Sequence, residues 1–209
     1  MIRMLIAPLR FCTSAHFSKG SQMNPILDNI HSRRSVREFE QKPILQDVLK
    51  EIIDAGNAAP SGMNTQGWRF VVITDPESRK LLADLALVKY QEWIKSAPTE
   101  MQVMRAEIDK LTPDPVYYQS PAIIFVMGTG MARDLDCPMV CQNMMLAARS
   151  IGIGSCWVYF GQLPLGDGRV NKLLDLKEGE KVFGPIILGY PKGGFPPAPS
   201  KKPAQILWA

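Results

Sequence analysis

AAPSGMNTQGWRF, residues 58–70, joins two segments with opposite periodicities. Upstream, PILQDVLKEIIDAGNA (43–58) places Ile44, Leu45, Val48, Leu49, Ile52 and Ile53 at the 3.6-residue spacing of an amphipathic helix. Gly56 and Asn57 follow as stop signals. Downstream, WRFVVIT (68–74) is β-branched and aromatic, as a strand requires. Between them, Pro60, Ser61, Gly62, Asn64, Thr65, Gln66 and Gly67 crowd small donors and acceptors into one turn. Asn64 and Gln66 carry amides with both a donor and an acceptor side, and Gly62 and Gly67 allow close backbone approach. The stretch fits a flat ligand with a mixed hydrogen-bonding edge, and equally an ordinary helix-to-strand loop.

Working outward, the N-terminal side holds a helix over NPILDNIHS (24–32), opened by Pro25. RRSVREF (33–39) follows. Arg33, Arg34, Ser35 and Arg37 put three guanidiniums and a hydroxyl within five residues. That set can clamp a phosphate, because guanidinium is a planar fork of donors. Alone it reads as well as a solvated basic turn. On the C-terminal side, Asp75 and Pro76 open a helix over ESRKLLADLA. Residues 89–120 mix helical pieces with prolines and read as an insertion covering a site, with Tyr90 and Trp93 lining it. PAIIFVMG (121–128) reads as a buried strand, and DLDCPMVCQNMMLAARSIG (134–152) as a long central helix. IGSCWVYF (153–160) and EKVFGPIILGY (180–190) read as further strands, with GRVNKLLDL a short helix between them. Interleaving of this kind indicates one domain, α/β or α+β, with one mixed sheet. The domain is expected over 23–209, with residues 1–22 an N-terminal extension outside the fold.

The totals narrow the function. The 209 residues carry 24 Lys and Arg against 20 Asp and Glu, a net charge of +4. That excess suits a small anion and falls short of a nucleic-acid surface. No apolar run reaches the roughly 18 residues of a membrane helix. Cys12, Cys137, Cys141 and Cys156 form no CxxC pair, so zinc spacing is lacking. They read as small hydrophobes of a reduced, cytoplasmic protein. Met139, Met144 and Met145 read as core. GIGSCW lacks the GxGxxG pattern, which removes a Rossmann dinucleotide site. The C-terminal stretch, PKGGFPPAPSKKPAQILWA, ends on Ile206, Leu207 and Trp208, an apolar surface that calls for a second subunit.

Four blocks in order, RRSVREF, AAPSGMNTQGWRFVVI, QNMMLAARSIGIGSCW and ILGYPKGGFPPAPSKKP, resemble the FMN-dependent nitroreductase family. The resemblance implies an α+β fold, a mixed central sheet flanked by helices, in a homodimer with domain-swapped tails and FMN at the subunit interface. NADH or NADPH would be the electron donor and a nitroaromatic, quinone or similar small molecule the acceptor, in ping-pong hydride transfer through flavin N5. It implies Arg33, Arg34, Ser35 and Arg37 at the phosphate, ribityl chain and pyrimidine edge, with Arg37 near N1 and O2. Pro60, Ser61, Gly62, Asn64 and Gln66 would come from the partner. Lys201 and Lys202 would return to the phosphate, and Trp157, Val158 and Tyr159 would pass the flavin with an N–H facing N5. The chain departs from the family pattern at Gly67, where Pro is usual, and at Tyr159 and Phe160, where small residues are common. Two other readings stand beside this one: a flavin-binding protein without turnover, and a metal or redox-thiol protein built on Cys137, Cys141 and Cys156.

Overall fold

The computed structural model describes residues 24–110 and 112–209. The expected extension over 1–22 lies outside them. The helix at the start is α1 (Pro25–Ser32), capped by the Asn24 side chain. The amphipathic segment is α2 (Gln46–Asn57), and β1 (Trp68–Ile73) follows the polar loop. Asp75 caps α3 (Pro76–Ser96), accepting from Ser78 N–H at 2.8 Å. The remaining elements are α4 (Thr99–Asp109), β2 (Ala122–Gly128), α5 (Arg133–Ser150), β3 (Gly154–Trp157), α6 (Gly168–Leu173) and β4 (Lys181–Gly189). Residues 89–120 are thus mostly two helices, α3 and α4, folded back as a hairpin rather than an irregular insertion.

The sheet order is β1-β2-β4-β3 and the strands pair antiparallel. Among the described residues, the parallel component expected of a mixed sheet is confined to an isolated bridge between Ser35 and Ser155. Alternation along β2 feeds two cores. Ile123, Phe125 and Met127 pack with Leu82, Ala86 and Tyr90 of α3 on one face. Ala122, Ile124 and Val126 pack with Ile52 of α2 and Val140, Cys141 and Met144 of α5 on the other. A sheet covered on both faces explains why PAIIFVMG is apolar throughout.

The strand expected over 153–160 stops at Trp157, and Tyr159–Gln162 forms a 3-10 turn instead. Val158 N–H donates to the Pro185 carbonyl at 2.9 Å, one pair further along the β3–β4 register, and the chain then turns away. Gly161 sits where a Cβ would lie 2.4 Å from the Pro185 ring, so the turn packs backbone to ring.

Arg69 ties β1 to the approach to β4. Its Nε and Nη2 donate to the two Glu180 oxygens, each at 2.6 Å, and Nη2 also donates to the Asp175 carbonyl at 2.7 Å. The Arg69 guanidinium holds the Glu180 carboxyl below the usual carboxylate range. A depressed folded pKa gives stability that is complete above the unfolded value, about 4.3, and is lost as pH falls through the folded value. Arg69→Met is expected to cost about 2–3 kcal/mol at neutral pH. It should also weaken the loss of Tm on acidification. Thermal melts from pH 7 to pH 3 check this, and an unchanged acid limb would contradict it.

Candidate functional site

The RRSVR segment leaves α1 and runs beside the edge strand β3. Val36 N–H donates to the Ser155 carbonyl at 3.0 Å, and Gly154 leaves room for Val36, whose carbons lie 2.9 Å from where a Cβ would stand. This close approach is the structural reason for the glycine in GSCW. Val36 is buried, which turns Ser35 and Arg37 outward. The segment is fixed to the end of α5, where Arg149 Nε donates to the Ser32 carbonyl at 3.2 Å and Asn29 Nδ2 to the Leu146 carbonyl at 3.0 Å.

A cleft of about 670 Å³ opens there, and it collects Arg33, Arg34, Ser35 and Arg37 with Lys201. Gln142, Ile30, His31 and the prolines of the C-terminal stretch complete its wall. Lys201 is brought in from far along the chain. Lys202 is exposed and does not line the cleft. Arg34 is partly committed: its Nη1 donates to the His31 carbonyl at 2.7 Å and the Arg33 carbonyl at 2.6 Å, closing the end of α1. His31, at the end of α1, is exposed and also borders the cleft. Gln142 was missed. Its signal was a polar residue between two methionine-rich turns of an otherwise apolar helix, which periodicity alone does not assign.

The Pro60–Gln66 loop lies elsewhere. Its turn (Gly62–Asn64) meets the start of α5, where Gly62 N–H points at the buried Asp136 carboxylate at 3.3 Å. Ser61 Oγ accepts from Gln66 N–H at 3.0 Å. Met63, Asn64 and Gln66 all have left-handed φ, 52°, 56° and 48°, so the loop holds strain that an ordinary connection would shed. Gly67 is explained locally: a Cβ there would stand 2.9 Å from the Thr129 carbonyl oxygen. None of Pro60, Ser61, Gly62, Asn64 or Gln66 lines the arginine cleft. The loop contacts α5 at Asp136, and the cleft reaches the same helix at Gln142, about 9 Å along it.

Trp157 and Val158 are covered by the fold, whereas Tyr159 is 78% exposed. With the Val158 N–H committed to Pro185, that group is withdrawn from any ligand. Tyr90 does not line a pocket. It is fully buried, and its hydroxyl lies 2.9 Å from the Asp109 carboxylate. Trp93 is partly buried against Phe160, ring centroids 4.7 Å apart. Cys137, Cys141 and Cys156 are buried free thiols, and burial pushes the first two up to about 11 and about 12, so they stay protonated near neutrality. Among the described residues no group of His, Cys, Asp and Glu is arranged to hold a metal.

The nitroreductase family model matches residues 30–190. The chain belongs to the nitroreductase family. Relatives and solved structures agree with this assignment. An NADPH-flavin oxidoreductase of Vibrio harveyi is 31% identical over 186 residues, 88% of this chain and 73% of the relative. A crystal structure of a nitroreductase with bound FMN from Bacteroides fragilis is 29% identical and superposes with a TM-score of 0.70, covering 89% of this chain and 98% of that one. An iodotyrosine deiodinase of Nematostella vectensis is 26% identical over 190 residues, 86% of this chain and 72% of the relative. Family membership accounts for the fold, while the reaction is a property of the site.

Proposed function

We propose that the chain is an FMN-dependent NAD(P)H oxidoreductase, active as a homodimer on nitroaromatic, quinone or similar acceptors. The observation that carries this reading is the cleft in which Arg33, Arg37 and Lys201 converge beside an edge strand. A phosphate monoester carries a charge of about −1.5 to −2, and that donor set matches it. Arg33 and Lys201 would hold the phosphate, with Ser35 and the ribityl chain beside them. Arg37 would place positive charge at the pyrimidine edge, where negative charge develops on reduction. The bound FMN would supply hydride transfer between a nicotinamide and the acceptor. With Val158 withdrawn, the Tyr159 N–H at the head of the 3-10 turn is the candidate facing flavin N5.

The dimer is supported by what a single chain leaves uncovered. Leu135, Met139 and Leu146 form an exposed or half-exposed stripe along α5, beside Ile26, Leu27 and Ile30 of α1, a helix with no buried residue. Apolar faces of this extent mark an interface. Two such α5 helices packed antiparallel would bring the partner's Ser61, the partner's Gly62 and the partner's Asn64 to the arginine cleft, which the same residues of its own chain do not line. The free edge of β1 borders a groove of about 1110 Å³ lined by Ile44, Leu49, Ile53 and Val72. It gives the exposed Ile206–Leu207–Trp208 stretch of the second subunit a seat. Reductive dehalogenation is a second reading, favoured by the deiodinase relative.

The test is the visible spectrum of the purified protein, followed by anaerobic addition of NADH or NADPH. The expected result is a flavin band that bleaches, after which nitroaromatic, quinone and halotyrosine acceptors separate the two reactions. A flavin band that persists with both nucleotides would favour a binding protein without turnover. Failure to take up added FMN would overturn the reading.

A further inference from the structure

The α3–α4 hairpin carries a buried cation that neither the cleft nor the core explains. Arg105 of α4 is 7% exposed. Its Nε donates to the Tyr90 hydroxyl at 2.8 Å and its Nη2 to the Pro115 carbonyl at 2.9 Å. Its Nη1 lies 3.4 Å from the Tyr118 hydroxyl. The nearest carboxylate, Asp109, is 3.8 Å away and is already held by Tyr90. A desolvated guanidinium costs several kcal/mol unless its geometry is used. Here the geometry reaches in two directions. The guanidinium carbon stands 5.3 Å from the Phe160 ring, in the 3-10 turn after β3, and Phe160 packs on Trp93. On the other side Tyr118 presents its ring to Arg37, whose guanidinium carbon is 5.8 Å from the centroid.

The loop that carries Tyr118 is strained. Tyr118 and Gln119 have φ of 56° and 51°, in the left-handed region. The Asp114 carboxylate fixes its start by accepting from Tyr117 N–H at 2.8 Å and Gln119 N–H at 2.9 Å. Arg105 fixes the rest through Pro115 and Tyr118. Strain of this kind persists where the surroundings over-determine the backbone, and such places cluster at ligand sites.

We propose that Arg105 is a positioning residue that holds Tyr118 under Arg37 and Phe160 against the 3-10 turn, so that the α3–α4 hairpin sets both walls of the flavin edge. The hairpin then determines where Arg37 stands, and a hairpin displaced by an acceptor alters the charge presented to the flavin. This inference rests on the proposed FMN site. Its first readout, the state of Arg37 in the apoprotein, does not.

The experiment uses Arg105→Met, which keeps the length and removes the charge and the fork, and Tyr118→Leu, which removes only the ring under Arg37. In the apoprotein the Arg37 side-chain N–H resonance, shifted by the Tyr118 ring, is expected to move to the random-coil position in both variants. An Arg37 resonance unchanged in a folded Arg105→Met protein overturns the proposal whether or not FMN binds. The second readout is the FMN dissociation constant from flavin fluorescence, in a cycle with Arg37→Ala. Arg105→Met is expected to weaken binding about fivefold. The double variant is expected to bind no more weakly than Arg37→Ala alone, because the two act as one unit. Additive losses would mean that Arg105 supports only the fold. If Arg105→Met does not fold, Arg105→Lys carries both readouts, with the same outcomes deciding. Arg105→Lys keeps the charge without the fork and is expected to restore at most part of the Arg37 shift.

Discussion

Replacing Arg33 and Lys201 together by Ala is expected to strip the protein of FMN. Both line the cleft from opposite directions, one from the end of α1 and one from the C-terminal stretch. Each would contribute a charge-assisted contact to a phosphate of about 1.5–3 kcal/mol. Losing both should weaken FMN binding by roughly 10²–10⁴-fold. The fold should hold, because neither side chain makes an ion pair among the described residues. Quenching of flavin fluorescence on titration reads the dissociation constant. Riboflavin, which lacks the phosphate, serves as the internal comparison: its affinity should move far less. A double variant within threefold of the parent, or an equal loss for riboflavin, would remove the phosphate from this cleft.

Leu135→Asp combined with Met139→Asp is expected to give a monomer that has also lost FMN. Leu135 is 73% exposed and Met139 38% exposed, one turn apart on the same face of α5, so the exchange costs the isolated chain little. In the proposed dimer the same positions are buried, and two unpaired carboxylates per subunit would have to be desolvated. That penalty is several kcal/mol per charge, enough to dissociate an interface of ordinary strength. Loss of FMN follows from geometry, since within one chain Pro60, Ser61, Gly62, Asn64 and Gln66 do not line the arginine cleft. Sedimentation equilibrium and the flavin content of the purified variant read the two effects separately. A variant that stays dimeric would place the interface elsewhere. A monomer that retains FMN would show that one chain builds the whole site.

Several of the site residues were legible because they sit in short dense motifs. Arg33, Ser35 and Arg37 stand within five residues, with Val36 buried between them. That alternation already predicts that the polar members face outward together. The Ser61–Gly67 loop announced itself by small polar residues, and it carries three left-handed φ values, at Met63, Asn64 and Gln66. Other placements were not legible. Tyr90 and Trp93 lie on one helical stretch and both pack on Phe160, yet Tyr90 is sealed at its hydroxyl by Arg105 and Asp109 while Trp93 stays partly exposed. Which way each points depends on α4, and α4 is folded back by a turn of two residues, Ala97 and Pro98, that periodicity does not resolve. The family pattern implied an N–H facing N5 within Trp157, Val158 and Tyr159, and the Pro185 carbonyl from β4 takes the one at Val158.

The sequence by itself determined the local structure: the helix of period 3.6 over 46–57, the buried strand over 122–128, the basic segment and the polar loop. Burial and turn chemistry act between residues a few positions apart, so composition and spacing carry them. Only the tertiary structure decided that Lys201, His31 and Gln142 share a cleft with the arginines. It alone kept the polar loop out of that cleft, and it alone gave Arg105 its hold on both Tyr118 and Phe160. Those placements come from how the sheet and helices pack across long sequence separations. The energy that selects them is spread over two cores, and no short motif contains it.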